Sequence, residues 1–349
     1  MKKSNRQLQN ASTIASKYYY DASFHRTDVK KIISGNWQYI GSLDQLDKTG
    51  SYFLSTIAGQ PLITIRSSKS EIRTFYNVCQ HRGGPLAKEN GCVKSLQCKY
   101  HGWTYNLHGQ LKATPEFKGV ENFEMNDVQL KAVETAVWEN LIFIRLKPQK
   151  LGLNKVLSGI SDRILPIDLS KKKFHSRVVY HIASNWKVYV DNYLEGYHLP
   201  YVHPSLSKLL DYKNYRTELF DYYSLQYSPF KEGNTIYHQS EEGVQAFYYF
   251  IFPNMMLNIL PNRMQVNLVL PVDSQHCDVI FDYFYNDPSD QKFIEADLKE
   301  SDVIQQEDID ICERVQLGLE SNAYNKGRFS VQREAGVFHF QQLLRSYYE

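Results

Sequence analysis

The chain has 349 residues, of which 42% are hydrophobic, and this length suits about two domains, each with its own core. Its formal net charge is +2, with basic and acidic residues mixed along the chain, which excludes the basic stripe of a nucleic-acid-binding protein. Five cysteines are too few for a disulfide framework at this length, so a cysteine with a special role is expected to bind metal or to act in catalysis.

Two stretches bear on export and on membrane insertion. Residues 1–20 contain no apolar segment of the kind that a signal peptide needs, so we expect a cytoplasmic protein. Residues 243–262 are uncharged and long enough to span a membrane, but they include two prolines and three asparagines. We therefore predict that these residues form buried strands and that the protein has no membrane partner.

Two short motifs each pair a cysteine with a histidine. Cys79 and His81 stand in CQHRGGPL, and Cys98 and His101 stand in CKYHGW. A tetrahedral zinc site could use the same four residues. The Cys-x-His spacing and the glycines that follow each pair favour an iron–sulfur cluster, in which two thiolates hold one iron and two imidazoles hold the other.

These segments resemble the ligand loops of a Rieske two-iron two-sulfur (2Fe-2S) domain, and of its oxygenase type, because the extra cysteines of respiratory Rieske proteins are missing. Runs rich in β-branched and aromatic residues flank the loops on both sides. We expect a small all-β domain over residues 36–148, with residues 1–35 and 149–349 in a second domain. Cys92, Cys277 and Cys312 are expected to be ordinary buried residues.

A second motif, DNYLEGYHLPYVHP, begins at Asp191. A Ser-Asn helix start predicts a helix from Trp186 to about residue 195, which would place Asp191, Glu195 and His198 along one face. His203 is five residues after His198, and Pro200 should end or bend the helix so that His203 can fold back.

Two histidines need a carboxylate to form the facial triad of a non-haem Fe(II) site. The run SDVIQQEDIDICERVQLGL has helical periodicity and offers several candidates. The spacing leaves five acids open: Asp302, Glu307, Asp308, Asp310 and Glu313.

The second motif and the acidic run together resemble the catalytic domain of Rieske oxygenase α subunits. This resemblance implies an α+β fold, with a helix-grip (START-like) catalytic domain built on an antiparallel sheet. It selects His198, His203 and Asp308 as ligands of a mononuclear Fe(II). It also implies a homotrimer in which Glu195 links His198 to the cluster residue His101 of a neighbouring subunit. We expect Glu195 and Asp191 to serve catalysis.

Within the family, the second motif looks most like the enzymes of small quaternary ammonium compounds, the choline, carnitine and betaine oxygenases. Aromatic faces can hold a trimethylammonium group. The predicted cage residues are Tyr193, Tyr197, Tyr201, Tyr248 and Tyr249. A substrate carboxylate, in carnitine or betaine, would want a cation such as Arg263.

The predicted function is hydroxylation of such a substrate with O2. The chain has no glycine-rich nucleotide motif or flavin signature, so electrons should come from a separate NAD(P)H-dependent flavin or iron–sulfur reductase. The alternative within the same chemistry is an aromatic-acid dioxygenase or O-demethylase. Remote alternatives are a Rieske electron carrier and a non-catalytic ligand carrier.

Overall fold

A computed structural model describes residues 8–204, 212–229 and 245–348. The chain divides into two compact units. The small unit comprises Ile33–Lys150, and the large unit comprises Met1–Ile32 together with Leu151–Glu349.

The small unit is built from short antiparallel strands. Its strands are β1 (Gln38–Ser42), β2 (Ser51–Ile57), β3 (Gln60–Arg66), β4 (Ile72–Tyr76), β5 (Gly91–Cys92), β6 (Leu96–Gln97), β7 (Thr104–Tyr105), β8 (Leu111–Ala113), β9 (Ala132–Trp138) and β10 (Leu141–Arg145). Seven of them form a sheet in the order β1-β10-β9-β4-β3-β2-β5, and β6-β7-β8 form a second sheet. Single 3-10 turns occur at Leu43–Gln45 and Met125–Asp127. The predicted all-β architecture is confirmed.

Cys92 corrects one expectation about the small unit. It was expected to be buried, but its side chain is exposed, whereas Cys277 and Cys312 in the large unit are buried. The reason is that β5 has only two residues and forms the outer edge of its sheet, beside β2. A side chain at such a short edge is not covered by a neighbouring strand.

The large unit contains one antiparallel sheet and the longer helices. Its strands are β11 (Lys173–Ile182), β12 (Arg216–Leu219), β13 (Tyr223–Pro229), β14 (Gln245–Ile251), β15 (Met255–Ile259), β16 (Arg263–Pro271) and β17 (Cys277–Tyr285), in the order β11-β17-β16-β15-β14-β13-β12. The buried-strand prediction for residues 243–262 is confirmed where the structure describes them, since all five residues of β15 are buried. No helix among the described residues is long and apolar enough to cross a membrane.

The helices of the large unit are α1 (Lys17–Tyr20), α2 (Ala22–Thr27), α3 (Leu153–Val156), α4 (Ile160–Arg163), α5 (Trp186–Tyr193), α6 (Leu199–Val202), α7 (Gln291–Glu320) and α8 (Ala335–Tyr348). A π-helical turn covers Asp28–Ile33, and 3-10 turns cover Leu169–Lys171 and Tyr212–Asn214. The side chain of Asp290 caps α7 by accepting from the backbone N–H of Phe293 at 3.1 Å. The α+β prediction, with helices on an antiparallel sheet, is confirmed.

The long helix α7 buries a face that is partly polar. Its inward residues recur every three or four positions, as in any helix packed on a sheet. Apolar side chains begin and end this face, but Asp297, Ser301 and Gln305 lie between them and are buried. Buried polar groups need partners. This stretch of α7 therefore stands out as the wall of a site rather than as part of the core.

Candidate active site

Two loops of the small unit present the Cys-His pairs with the same backbone geometry. The N–H of Gly83 donates to the carbonyl of Cys79 at 3.0 Å, and the N–H of Gly102 donates to the carbonyl of Cys98 at 2.9 Å. Both glycines have φ of +74°, a conformation that a residue with a Cβ rarely adopts. The sequence repeats a glycine after each pair because each loop makes the same tight turn.

The four side chains fit a 2Fe-2S cluster. Cys79 and Cys98 are buried, and the rings of His81 and His101 lie 4.8 Å apart between centroids. The Nδ1 atom of His81 is buried and has no hydrogen-bond partner in the protein, as expected for an atom that binds iron. A Cβ on Gly84 would lie 3.1 Å from the Cys98 sulfur, closer than an ordinary contact, so a side chain there would crowd that thiolate.

Tyr105 adjoins the sulfur of Cys79. Its hydroxyl lies 3.3 Å from the Cys79 Sγ and accepts from the backbone N–H of Gln80 at 3.0 Å. Burial, and next the contact with Cys79, raises the pKa of Tyr105, so the hydroxyl keeps its proton and can donate to a thiolate. Donation to a cluster sulfur raises the reduction potential. Sequence reasoning missed Tyr105 because its position in β7 carries no motif.

In the large unit, His198 and His203 flank a single helical turn. Helix α5 ends at Tyr193, two residues earlier than predicted, and α6 spans only Leu199–Val202. The prediction for Pro200 was wrong in mechanism, because this proline lies in the first turn of α6 and starts a helix instead of ending one. The two rings nevertheless meet, with centroids 5.1 Å apart.

Asp308, on α7, completes a three-residue cluster with the two histidines. One potential ligand atom from each of His198, His203 and Asp308 lies within 4.8 Å of the other two. Asp308 Oδ1 is 3.0 Å from His203 Nε2 and 3.8 Å from His198 Nε2. Two imidazoles and one carboxylate that converge on one point form the donor set of a non-haem Fe(II) centre.

The other acids of α7 that the sequence left open have different partners. Asp302 accepts from the Tyr180 hydroxyl, Asp310 pairs with Arg314, and Glu313 accepts from the backbone N–H of residue 183. Glu307, next to Asp308, lies 2.7 Å from Nδ1 of His203 and therefore sits behind that ring, away from the point where the ligand atoms meet.

Each histidine is thus held from behind by a carboxylate. Glu195 Oε1 lies 2.7 Å from His198 Nδ1, and the other oxygen of Glu195 accepts from the backbone N–H of His198 at 3.1 Å. A carboxylate on Nδ1 fixes the tautomer that leaves Nε2 ready to bind metal. Burial lowers the pKa of His203, but its hydrogen bonds to Asp308 and Glu307 outweigh burial, and the net shift is upward. The site is electronegative, which suits a divalent cation.

Asn192 was also missed by sequence reasoning. Its side-chain amide donates to Asp308 Oδ1 at 2.6 Å and so orients the carboxylate. Asp191, its neighbour, was expected to share a face with Glu195 and His198, and this was wrong. Because α5 ends at Tyr193, the two later residues leave the helical register. Asp191 points instead into the core, where it accepts from the hydroxyl of Tyr19 at 2.5 Å.

The cluster of His198, His203 and Asp308 opens on a cavity of about 150 Å³ inside the large unit. Pockets for drug-sized ligands have roughly 300–1,000 Å³, so this cavity suits a small substrate. Of the predicted cage residues, Tyr193 and Tyr248 line the cavity. Tyr197 and Tyr201 are exposed at 49% and 81%, and Tyr249 is buried without lining the cavity.

Three aromatic residues that were not predicted line the cavity, whereas Tyr197, Tyr201 and Tyr249 do not. Tyr189, Tyr215 and Phe281 line the cavity, and burial is the main cause that raises the pKa of both tyrosines, so they remain neutral phenols. Arg263 lines the cavity too, but its guanidinium is paired with Asp297 at 2.7 Å. It is therefore not the unneutralised cation that a substrate carboxylate would want.

Comparisons with known proteins match both parts of the chain. Residues 36–124 match the Rieske 2Fe-2S domain, and residues 169–349 match the catalytic domain of the ring hydroxylating alpha subunit. The chain is 36% identical to the chloroplastic choline monooxygenase of Arabidopsis thaliana, over 97% of this chain and 83% of the relative. It is 29% identical to the carnitine monooxygenase oxygenase subunit of Escherichia coli (strain K12), over 96% of this chain and 94% of the relative.

A solved structure is similar over almost the whole chain. A quaternary ammonium Rieske monooxygenase, described with its inter-subunit electron transfer, superposes with a TM-score of 0.91 at 25% identity. The match covers 99% of this chain and 98% of the other.

Proposed function

We propose that this chain hydroxylates a small quaternary ammonium compound. The chain belongs to the ring-hydroxylating alpha subunits that carry a Rieske domain, a family of oxygenases with a 2Fe-2S cluster and a mononuclear iron. The observation that carries this proposal is the convergence of His198, His203 and Asp308 on a small cavity lined with neutral tyrosines. Aromatic faces attract a trimethylammonium group, which has no hydrogen to donate to a polar partner.

The proposed reaction consumes O2, two electrons and two protons, inserts one oxygen atom into a substrate C–H bond and releases the other as water. When bound, the iron at His198, His203 and Asp308 supplies the activation of O2, and the cluster at Cys79, Cys98, His81 and His101 supplies electrons. The protein positions the ligands and the substrate.

Three side chains that do not bind iron have positioning roles in this proposal. Glu195 and Glu307 fix the imidazoles of His198 and His203, and Asn192 fixes the carboxylate of Asp308. Ligands held in this way keep their geometry when the metal leaves and returns, which favours one coordination arrangement over others.

An aromatic acid is a poorer fit than a quaternary ammonium compound. The carboxylate of a benzoate-type substrate would have to be buried, and a buried charge needs a partner. Among the cavity-lining residues that the structure describes, Arg263 is the one Lys or Arg, and Asp297 already neutralises it.

The electrons are proposed to come from a separate NAD(P)H-dependent reductase, and the assembly is proposed to be a homotrimer. Glu195 would then also contact His101 of the partner subunit. Its side chain is 13% exposed, and carboxylate oxygens offer about four lone-pair sites in all, so Glu195 can accept one more donor. Monomeric protein with full activity in analytical ultracentrifugation would refute this arrangement.

Single-turnover chemistry tests the proposed function. Chemically reduced, iron-loaded protein is mixed with oxygen and, in separate incubations, with choline, carnitine, glycine betaine, benzoate or a methoxybenzoate. Mass spectrometry should detect an oxidised product from at least one trimethylammonium compound. Product from an aromatic acid alone would contradict the proposed substrate class while retaining the oxygenase chemistry.

A further inference from the structure

The cavity has a polar wall that strand β16 and helix α7 form together. Strand β16 directs Arg263, Gln265 and Asn267 into the cavity, as every second residue of a strand must face one side. Helix α7 contributes Ser301 and, behind Arg263, the buried Asp297.

Arg263 and Asp297 form a buried, hydrogen-bonded ion pair in this wall. Nη1 of Arg263 lies 2.7 Å from both oxygens of Asp297, and its Nη2 donates to Gln265 at 2.9 Å. The hydroxyl of Tyr285 donates to Asp297 at 2.7 Å. Asp297 is fully buried and Arg263 is 7% exposed. The pair has no net charge, and its geometry is held from several sides.

A second buried cation near this wall is also engaged. Lys172 donates to the carbonyls of Leu260 and Pro261 at 2.9 and 2.6 Å and to Asn286 at 3.1 Å. These three acceptors match the three hydrogens of its ammonium group. Burial lowers the pKa of Lys172 to about 7. Lys172 does not line the cavity.

The pair lies at the end of the cavity away from the iron ligands. Asp297 precedes Asp308 by eleven residues in α7, which corresponds to about 16 Å along a helix. Glu300, one turn further towards Asp308, also lines the cavity, and no cationic side chain among the described residues pairs with it. The far end of the cavity therefore has a negative net charge.

This distribution of charge points to one orientation of the substrate. We propose, resting on the proposed function, that the Arg263–Asp297 pair and Glu300 select a cation that has no carboxylate, and that its trimethylammonium group lies at the far end. The opposite end, an alcohol carbon in an amino alcohol such as choline, then faces His198, His203 and Asp308. A zwitterion would place its carboxylate either against Glu300, where no cation is available, or at the iron, where it would compete with O2 for the open coordination positions.

In this orientation the reaction uses the same O2, two electrons and two protons as the proposed function. The C–H bond of the alcohol carbon becomes C–OH, giving a geminal diol that loses water to form an aldehyde. One atom of O2 enters the product, and the other leaves as water with two protons and the two electrons from the reductase.

Binding measurements on iron-loaded protein test the selection. Isothermal titration calorimetry with choline and with glycine betaine should give wild-type affinities that favour choline by at least about tenfold. Asp297→Asn leaves the charge of Arg263 unneutralised, so choline should bind on the order of tenfold more weakly and glycine betaine more tightly. Asp310→Asn, on the same helix but exposed and paired with Arg314, is the matched control and should change neither affinity.

Two further variants keep the test decisive if Asp297→Asn fails to fold. Glu300→Gln changes a half-buried residue and should weaken choline while leaving glycine betaine unchanged or stronger. The double variant Arg263→Gln with Asp297→Asn removes both charges and should retain the preference for choline. Equal losses for both ligands in Glu300→Gln, or a wild-type preference for glycine betaine or carnitine, would overturn the inference.

The turnover experiment separates this inference from the proposed function. Product from carnitine or glycine betaine in preference to choline would refute the inference alone. The absence of product from every trimethylammonium compound would refute the proposed function.

Discussion

The ligand sets of the two units differ in how far apart their residues lie along the chain. The cluster residues all fall within residues 79–101, on two loops that repeat the same backbone hydrogen bond. The proposed iron ligands of the large unit come from two segments, and His203 and Asp308 are 105 residues apart. Local geometry determines the first set, whereas the packing of α7 against the turn around α6 determines the second.

The largest effect is expected at Asp308, the residue that the packing of α7 brings to the two histidines. Asp308→Ala should lower iron content from about three to about two per chain and leave the visible spectrum of the cluster intact. Turnover should fall by more than the roughly 10–100-fold that follows loss of a partner behind a metal ligand. Iron analysis, visible spectroscopy and product assays measure these three quantities.

Asp310→Ala is the control for this prediction, since Asp310 lies on the same helix and pairs with Arg314 at the surface. If Asp310→Ala lost iron and Asp308→Ala kept it, the assigned ligand would be wrong.

Glu307 tests whether the carboxylates behind the histidines support the metal. Glu307→Gln weakens the hydrogen bond at Nδ1 of His203 and no longer fixes its tautomer, so iron affinity should fall by roughly 10–100-fold. Competition with a chelator measures this affinity. Glu313→Gln, a conservative change on the same helix that affects only a backbone contact, should leave the affinity unchanged.

The comparison also explains how much of the site the sequence could predict. The Cys-His motifs and their glycines are readable because each loop is a local structure. Helical spacing could not identify the end of α5 at Tyr193, and so it misplaced Asp191 relative to Glu195 and His198. Asn192 lies within the second motif and Glu307 within the acidic run, but their contacts with Asp308 and His203 exist only once α7 is packed.

The fold class was more predictable than the cavity lining. Strand-forming runs and the resemblance to the oxygenase family gave the α+β architecture and its antiparallel sheet. Which tyrosines line the cavity depends on whether each side chain points inward from its strand or helix turn. Tyr197 and Tyr201 lie in the segment around α6, where they turn outward, while Tyr215 comes from a part of the chain with no distinguishing pattern.

In the small unit a smaller effect is expected, because Tyr105 tunes the cluster without binding it. Tyr105→Phe removes the hydroxyl next to the Cys79 sulfur. A hydrogen bond contributes about 1 kcal/mol, which corresponds to about 40 mV for one electron, so the reduction potential should fall by that order. Redox titration followed in the visible spectrum measures it, and an unchanged or raised potential would contradict the role of Tyr105.

The smallest effect on iron is expected at Asp191. Its carboxyl contacts Tyr19 and Gln341, so Asp191→Asn should change iron affinity by no more than about twofold, well below the roughly 10–100-fold expected for a partner behind a ligand. A loss of iron comparable with that of Glu307→Gln would restore Asp191 to the catalytic site.

The same variant should alter the pH dependence of stability. Burial raises the pKa of Asp191 to about 7. The unfolded chain releases this proton near pH 4, so the folded protein holds a proton that the unfolded chain lacks between about pH 4 and 7. The free energy of unfolding of the wild type should therefore fall as pH rises through this window. Urea denaturation curves at pH 5 and pH 7 measure this fall, and Asp191→Asn should lack the part of it that Asp191 causes.

Anomalous diffraction at the iron edge, on crystals of the iron-loaded protein, tests the central claim most directly. The account predicts a close pair of iron atoms among Cys79, Cys98, His81 and His101, and a single iron bound by His198, His203 and Asp308. A single iron bound elsewhere on α7, or no anomalous peak beside the two histidines in protein that contains the additional iron, would contradict it.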